Sequence, residues 1–314
     1  LPAVVAGDLP HRPRPVRLNR ATSLRSPTQF ARTASPEALF AIGGISQYTG
    51  AVIAVNLFDD LRPATVTWFR VMSAALAILL VSWRSQRRWT RRDLFAAAAF
   101  GIATAVMNLC FYLAIDRLPL GKSVVLEFIG PIAVAAVLTR SRRNTIALLL
   151  AATGVAVLSG VEIGGEPLGI VFIFGASAMW AAYIVIGSRV AKLDRGLSGL
   201  GVGLAIGAVV IAPFGISGSS QVVHNGNLLL QCVIVGALSS AVGYGIDQVV
   251  LRRIPTRRFA VMLALLPVTA MVVGFLALTQ TPSVLDMAGA ALVIVGVVIQ
   301  ERDELVQPLE ELPA

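Results

Sequence analysis

Apolar residues fall into runs of about twenty along this chain, broken by short polar stretches. The runs lie at about 37–57, 63–83, 94–115, 119–139, 144–161, 167–188, 198–218, 228–250, 257–279 and 284–300. A helix of twenty residues rises roughly 30 Å, the thickness of a bilayer's hydrocarbon core. The pattern predicts an all-α membrane protein with ten transmembrane helices and short loops. Residues 1–36 are different: they carry six arginines and several prolines without apolar periodicity, and read as a disordered basic cytoplasmic tail. No apolar stretch follows those arginines early enough for a secretory signal. Residues 301–314 read as a short C-terminal tail, also cytoplasmic.

Composition strengthens this picture. The chain is 56% hydrophobic and 14% charged, with a mean hydropathy of +0.79. Soluble domains carry about 25% charged residues. The net charge of +9 would suit a nucleic-acid binder, but the bases form short clusters between apolar runs, with no aromatic interleaving. The partner they imply is the bilayer, not nucleic acid. One alternating set of connections holds 22 of the 26 basic residues. That set runs from Arg12 to Arg32 in the tail, through the clusters beginning at Arg84, Arg140, Arg189 and Arg252, to Arg302. Positive residues favour the cytoplasmic side, so both termini are expected inside. The excess of Arg over Lys suits a GC-rich bacterial genome, and hence a bacterial inner membrane. Cys110 and Cys232 sit inside apolar runs with no metal-ligand spacing. Neither a metal nor a cofactor is expected.

The chain also repeats itself. "LPLGKSVVLEFIGP" (118–131) aligns without a gap on "IPTRRFAVMLALLP" (254–267), an offset of 136. These segments belong to spans four and nine, so each repeat holds five spans. An odd number reverses direction and makes the repeats inverted, an architecture of secondary transporters. The first repeat is 37–161 and the second 162–300. Pro131 and Pro267 each remove a backbone hydrogen bond within a span. Either could be an ordinary kink; the matched pair suggests discontinuous helices lining a cavity.

Charges within the spans are the candidate chemistry, because they are expensive in a membrane and generally pair or line a polar path. Glu127 and Arg70 lie at similar depth, roughly 12 and 10 Å from the same side. They either fix two spans together or serve a cycle, with Glu127 taking a proton or an ammonium group. Arg70 would then take a substrate carboxylate through its planar fork. Lys122, nearer the outer end, either snorkels to the interface or tunes the mouth. Asp247, close to Arg252 and Arg253, is a mouth-side carboxylate or a coupling site. Gln47, Tyr48, Asn108, Tyr112, Trp180, Tyr183 and Tyr244 could line a cavity, though each alone suits packing or an interface. "GLGVGLAIG" (199–207) lacks the last glycine of a dinucleotide loop and reads instead as tandem GxxxG, a close-packing face. H-E-x-x-H, Walker A and G-x-S-x-G patterns are lacking, so neither an enzyme nor an ATP-driven pump is expected.

The stretch "MNLCFYLAIDRLPLGKSVVLEFIGPIAVA" (107–135) resembles the EamA-type drug/metabolite transporters, nearest their threonine/homoserine exporter branch. "ASAMWAAYIVIGSRVA" (176–191) and "LRRIPTRRFAVMLALLP" (251–267) resemble the corresponding second-half regions. The resemblance implies ten spans in two inverted five-helix repeats, exporting amino acids or related small metabolites against protons. It departs at Leu266, where the family usually has Glu, at Leu278-Thr279-Gln280 in place of Leu-Gly-Glu, and at Lys122, usually apolar. With Leu266 apolar, Glu127 and Asp247 remain the acids available for coupling. A homodimer stays open. The rival class is a membrane sensor or scaffold that transports nothing, which would have a dry, fully packed interior.

Overall fold

The computed structural model describes residues 34–82, 89–118, 123, 126–138, 141–158, 166–193, 197–278 and 283–306. Lys122, the basic tail up to residue 33, and residues 307–314 lie outside the described residues. Among the described residues every regular element is helical. In chain order they are α1 (Pro36–Asn56), α2 (Pro63–Ser82), α3 (Arg91–Ile115), α4 (Ile129–Leu138) and α5 (Arg142–Leu158). There follow α6 (Pro167–Lys192), α7 (Leu197–Gly215), the short α8 (Ser219–His224) and α9 (Gly226–Val235). A π-helical segment, Gly236–Val242, joins α9 to α10 (Gly243–Leu251). The last three are α11 (Thr256–Met262), α12 (Leu265–Leu278) and α13 (Val284–Val306).

Seven stretches are long and apolar enough to cross a membrane: Pro36–Asp59, Pro63–Ser82, Arg91–Ile115, Pro167–Lys192, Leu197–His224, Gly226–Leu251 and Thr256–Val273. The ten-span expectation is met at those seven. Of the other three, the fourth and fifth are described only in part. In the expected fourth span residues 123, 126–127 and the 10 residues of α4 are helical, and residues 119–122, 124–125 and 139 lie outside the described residues. Helix α5 has 17 residues and opens on Arg142, Arg143 and Asn144. In α13 the apolar part is Met287–Ile299, ahead of Glu301, Asp303 and Glu304.

Local signals set several helix ends. The Thr90 side chain accepts from the Asp93 backbone N–H and caps α3, and Asn225 caps α9 in the same way. Pro167 opens α6, where a missing N–H costs nothing. Packing then follows from small residues. Helix α3 lies against both α6 and α7, α2 against α7, and α5 along α13. At the α3–α7 crossing a methyl group on Gly101 would overlap the Gly203 carbonyl, and one on Gly207 would overlap that of Gly101. The tandem glycines are therefore a helix-packing face. Large apolar side chains including Leu80, Phe95, Val137 and Leu276 stay exposed, as a hydrocarbon surround allows.

Candidate functional site

Inside the bundle the polar residues gather. Arg70 sits midway along α2, and the π-helical segment lies close beside it. A Cβ on Gly236 would come 2.6 Å from the Arg70 carbonyl oxygen, so only glycine permits that approach. Ser240, carried by the π-helical turn, is fully buried. Arg70 Nε donates to Ser240 Oγ at 2.8 Å, and its Nη1 donates to Tyr112 Oη at 2.8 Å. The guanidinium also stacks over the Tyr112 ring, 5.6 Å from the centroid. A buried charge is thus held from α2 by partners on α3 and on the π-helical turn. Single π-helical turns within α-helices often mark functional positions.

Two further pairs extend the cluster. Asn108 Nδ2 donates to Tyr244 Oη at 2.8 Å. Tyr183 Oη donates to Asp247 Oδ2 at 2.6 Å. The Tyr183 and Tyr244 rings lie 5.5 Å apart, which joins the two pairs. Asp247 is 5% exposed. Its carboxylate is buried against Tyr183 of α6.

Glu127 occupies a break in the helix. Residues Leu126 and Glu127 are helical, Phe128 is a turn, and α4 begins at Ile129 with Pro131 two residues on. The second repeat segment is built alike: α11 ends at Met262, Leu263–Ala264 turn, and α12 begins at Leu265 with Pro267 two residues on. Each proline therefore stands in the first turn of a new helix, where its lost donor is tolerated. Leu266 is buried at that second break. Glu127 is itself buried, and no described side chain donates a hydrogen bond to its carboxylate or approaches it as an ion pair. Arg70 and Tyr48 are near enough to feel its charge. The expected Arg70–Glu127 contact is therefore indirect in this structure, since Arg70 spends two donors on Ser240 and Tyr112.

The remaining candidates spread around this core. Trp180 packs edge-on against Phe128, next to Glu127, with centroids 4.8 Å apart. Gln47 is half-buried on α1 with its side chain against Gly243 of α10. Tyr48 is half-buried one position on. All four tyrosines of the chain thus stand in or beside the cluster. Ser240 went unnoticed in the sequence. Its signal was the Ser239–Ser240 pair set between Gly236 and Gly243 inside an apolar run. Among the described residues no group of three His, Cys, Asp or Glu side chains could hold a metal.

Relatives identify the family. Residues 167–300 match the EamA-like transporter family. The threonine/homoserine exporter RhtA of Salmonella typhimurium (strain LT2) is 31% identical over 240 residues, 74% of this chain and 80% of that protein. The chain belongs to the EamA-like transporter family. The RhtA exporter of Escherichia coli (strain K12) is likewise 31% identical, over 77% of this chain and 83% of its own. A solved crystal structure superposes on this EamA-like transporter with a TM-score of 0.69, covering 88% of this chain and 99% of that one. At 18% identity it shares the fold alone. Family membership and the long apolar helices together describe a multi-pass membrane exporter.

Proposed function

We propose that this EamA-like protein is a secondary exporter of amino acids or closely related small metabolites, driven by exchange with protons. The observation that carries this reading is the buried cluster of one arginine and two carboxylates. Arg70, Glu127 and Asp247 are each 9% exposed or less, on helices from both ends of the chain. Groups of that kind are costly within a membrane and are kept there for pathways and coupling. A transport-inactive scaffold would use such charges as braces, which calls for paired groups, whereas no described side chain donates to the Glu127 carboxylate.

The roles follow from the donors. Arg70 keeps Nη2 free of described partners, and can hold a substrate carboxylate. Glu127, with no described donor on its carboxylate, can accept an ammonium group or a proton. Asp247, held by Tyr183, is the second proton-handling acid. The Tyr112 and Tyr244 hydroxyls and the Asn108 amide offer orientation. Threonine and homoserine, which the RhtA relatives export by name, carry both ionic groups this cluster would bind.

The frame for this chemistry is ten spans in two inverted repeats, 37–161 and 162–300, with both termini cytoplasmic in a bacterial inner membrane. Symmetry in the packing supports it. Helix α3 packs on α6 and α7, while the π-helical segment of the expected eighth span packs on α1 and α2; α4 packs on α6, while α12 packs on α1. Each contact has its counterpart under exchange of halves. Purified protein in proteoliposomes should show amino-acid-stimulated proton flux, with threonine or homoserine among the active substrates. Folded protein that moves no amino acid across a full panel would overturn the proposal.

A further inference from the structure

Two carboxylates stand at the first turns of helices that occupy matching places in the proposed repeats, Glu37 on α1 and Glu166 before α6. Each meets an arginine from the matching region at or just before the repeat segment. At the arginine-rich end Arg258 Nη2 donates to Glu37 Oε1 at 2.5 Å, with side chains 15% and 32% exposed. Directly beneath, Phe40 and Phe259 meet edge-to-face with centroids 5.5 Å apart, and both are buried. At the opposite end Arg117 Nε lies 3.8 Å from Glu166 Oε2, with side chains 27% and 56% exposed. Arg117 there divides itself between Glu166, its neighbour Asp116 at 3.2 Å, and the Phe172 ring.

We propose that these ion pairs are the two clasps of the bundle, and that Glu37–Arg258 is the tight one, holding the arginine-rich end shut in this state. Partial burial and an aromatic pair below make the Glu37–Arg258 contact stronger than an exposed surface pair, which contributes little. The Glu166–Arg117 contact is long and exposed, so it resists opening less. The clasps matter for function only if the export reading holds, but their operation can be measured without any substrate.

The probe is a membrane-impermeant methanethiosulfonate reagent acting on full-length protein in oriented vesicles. Cys110 and Cys232 are replaced by alanine, and Ser240→Cys places a thiol in the buried cluster. Arg252→Cys, in a separate control, identifies the vesicle side that reaches the arginine-rich end. Glu37→Gln should raise the labelling rate at position 240 from that side about tenfold, the middle of the range for coupled contacts. Exchanging the charges, with Glu37→Arg and Arg258→Glu, should return labelling to the slow rate. Glu166→Gln should change labelling from the other side much less. If Glu37→Gln does not fold, Arg258→Lys supplies the same comparison with an intermediate rise. An unchanged rate from the arginine-rich side, with only the melting temperature lowered, would show a merely structural pair. A swapped pair that fails to slow labelling would also overturn the clasp. Labelling that behaves as expected in a protein that moves no amino acid would defeat the export reading alone.

Discussion

Asn108 and Tyr244 hydrogen-bond each other across the bundle although they stand 136 residues apart. The same offset superposes the segment at 118–131 on that at 254–267. Matching positions of a two-fold repeat can touch only near its axis, so this pair marks where an axis between the proposed halves would run. The two residues also exchange a second interaction, with Tyr244 Oη 3.2 Å from Asn108 Oδ1.

That pairing has an energetic consequence. Tyr244→Phe should cost about 1–3 kcal/mol, because the buried Asn108 Oδ1 then loses its donor and Nδ2 keeps only the Thr104 carbonyl. Asn108→Leu combined with Tyr244→Phe should cost less than the two single losses added together. Thermal unfolding in detergent checks this, and strictly additive losses would show that the contact carries no coupling.

Glu127→Gln keeps the shape of the side chain and removes its titratable group. Proton-coupled export should disappear while membrane abundance and melting temperature stay near those of the unmodified protein. Counterflow, which exchanges substrate without net proton movement, should survive if the amide still accepts the substrate ammonium. Normal proton-coupled transport in this variant, with only stability altered, would make Glu127 a structural charge.

The helices and the interior charges were legible in the sequence because a membrane imposes simple rules. Apolar runs of fixed length become helices, and a charge within one must be accommodated. The sequence marks Arg70, Asn108, Tyr112, Tyr183, Tyr244 and Asp247 singly, but not the partners that join them in pairs. Arg70 illustrates the limit. Depth placed it level with Glu127, yet depth says nothing about azimuth, and a π-helical turn shifts the facing residues of its helix. That turn delivers Ser240 to Arg70, and no periodic pattern announces it. Asp247 shows the same limit: sequence leaves it open between a mouth-side carboxylate and a coupling site, because its partner Tyr183 comes from a distant helix.

Orientation is open to a direct check. With 22 of 26 bases on one set of connections and the tail, cysteines at Arg142 and Arg257 should escape impermeant reagents applied to intact cells. Cysteines at Asp59 and Asn225, both exposed in the structure, should be labelled. Reaction of the first pair from outside would reverse the orientation and remove the basis for cytoplasmic termini.

The final prediction concerns Tyr183 and Asp247. The phenol donates to the carboxylate at 2.6 Å, and both groups are buried. Among the described residues it is the only side-chain donor to that carboxylate. Tyr183→Phe should therefore cost about 1–3 kcal/mol, since a buried carboxyl group loses its partner. The Tyr183 ring also rests on Phe100 with centroids 5.1 Å apart, and phenylalanine preserves that packing, so the loss reports the hydroxyl alone. Adding Asp247→Asn to Tyr183→Phe should recover part of the stability, because no buried carboxyl group is then left without its phenol donor. Transport separates structure from function. If Asp247 handles a proton, the double variant should regain stability while proton-coupled export remains impaired. If the stabilised double variant exports at the full proton-coupled rate, the pair only braces α6 against α10, and Glu127 must carry the coupling without it.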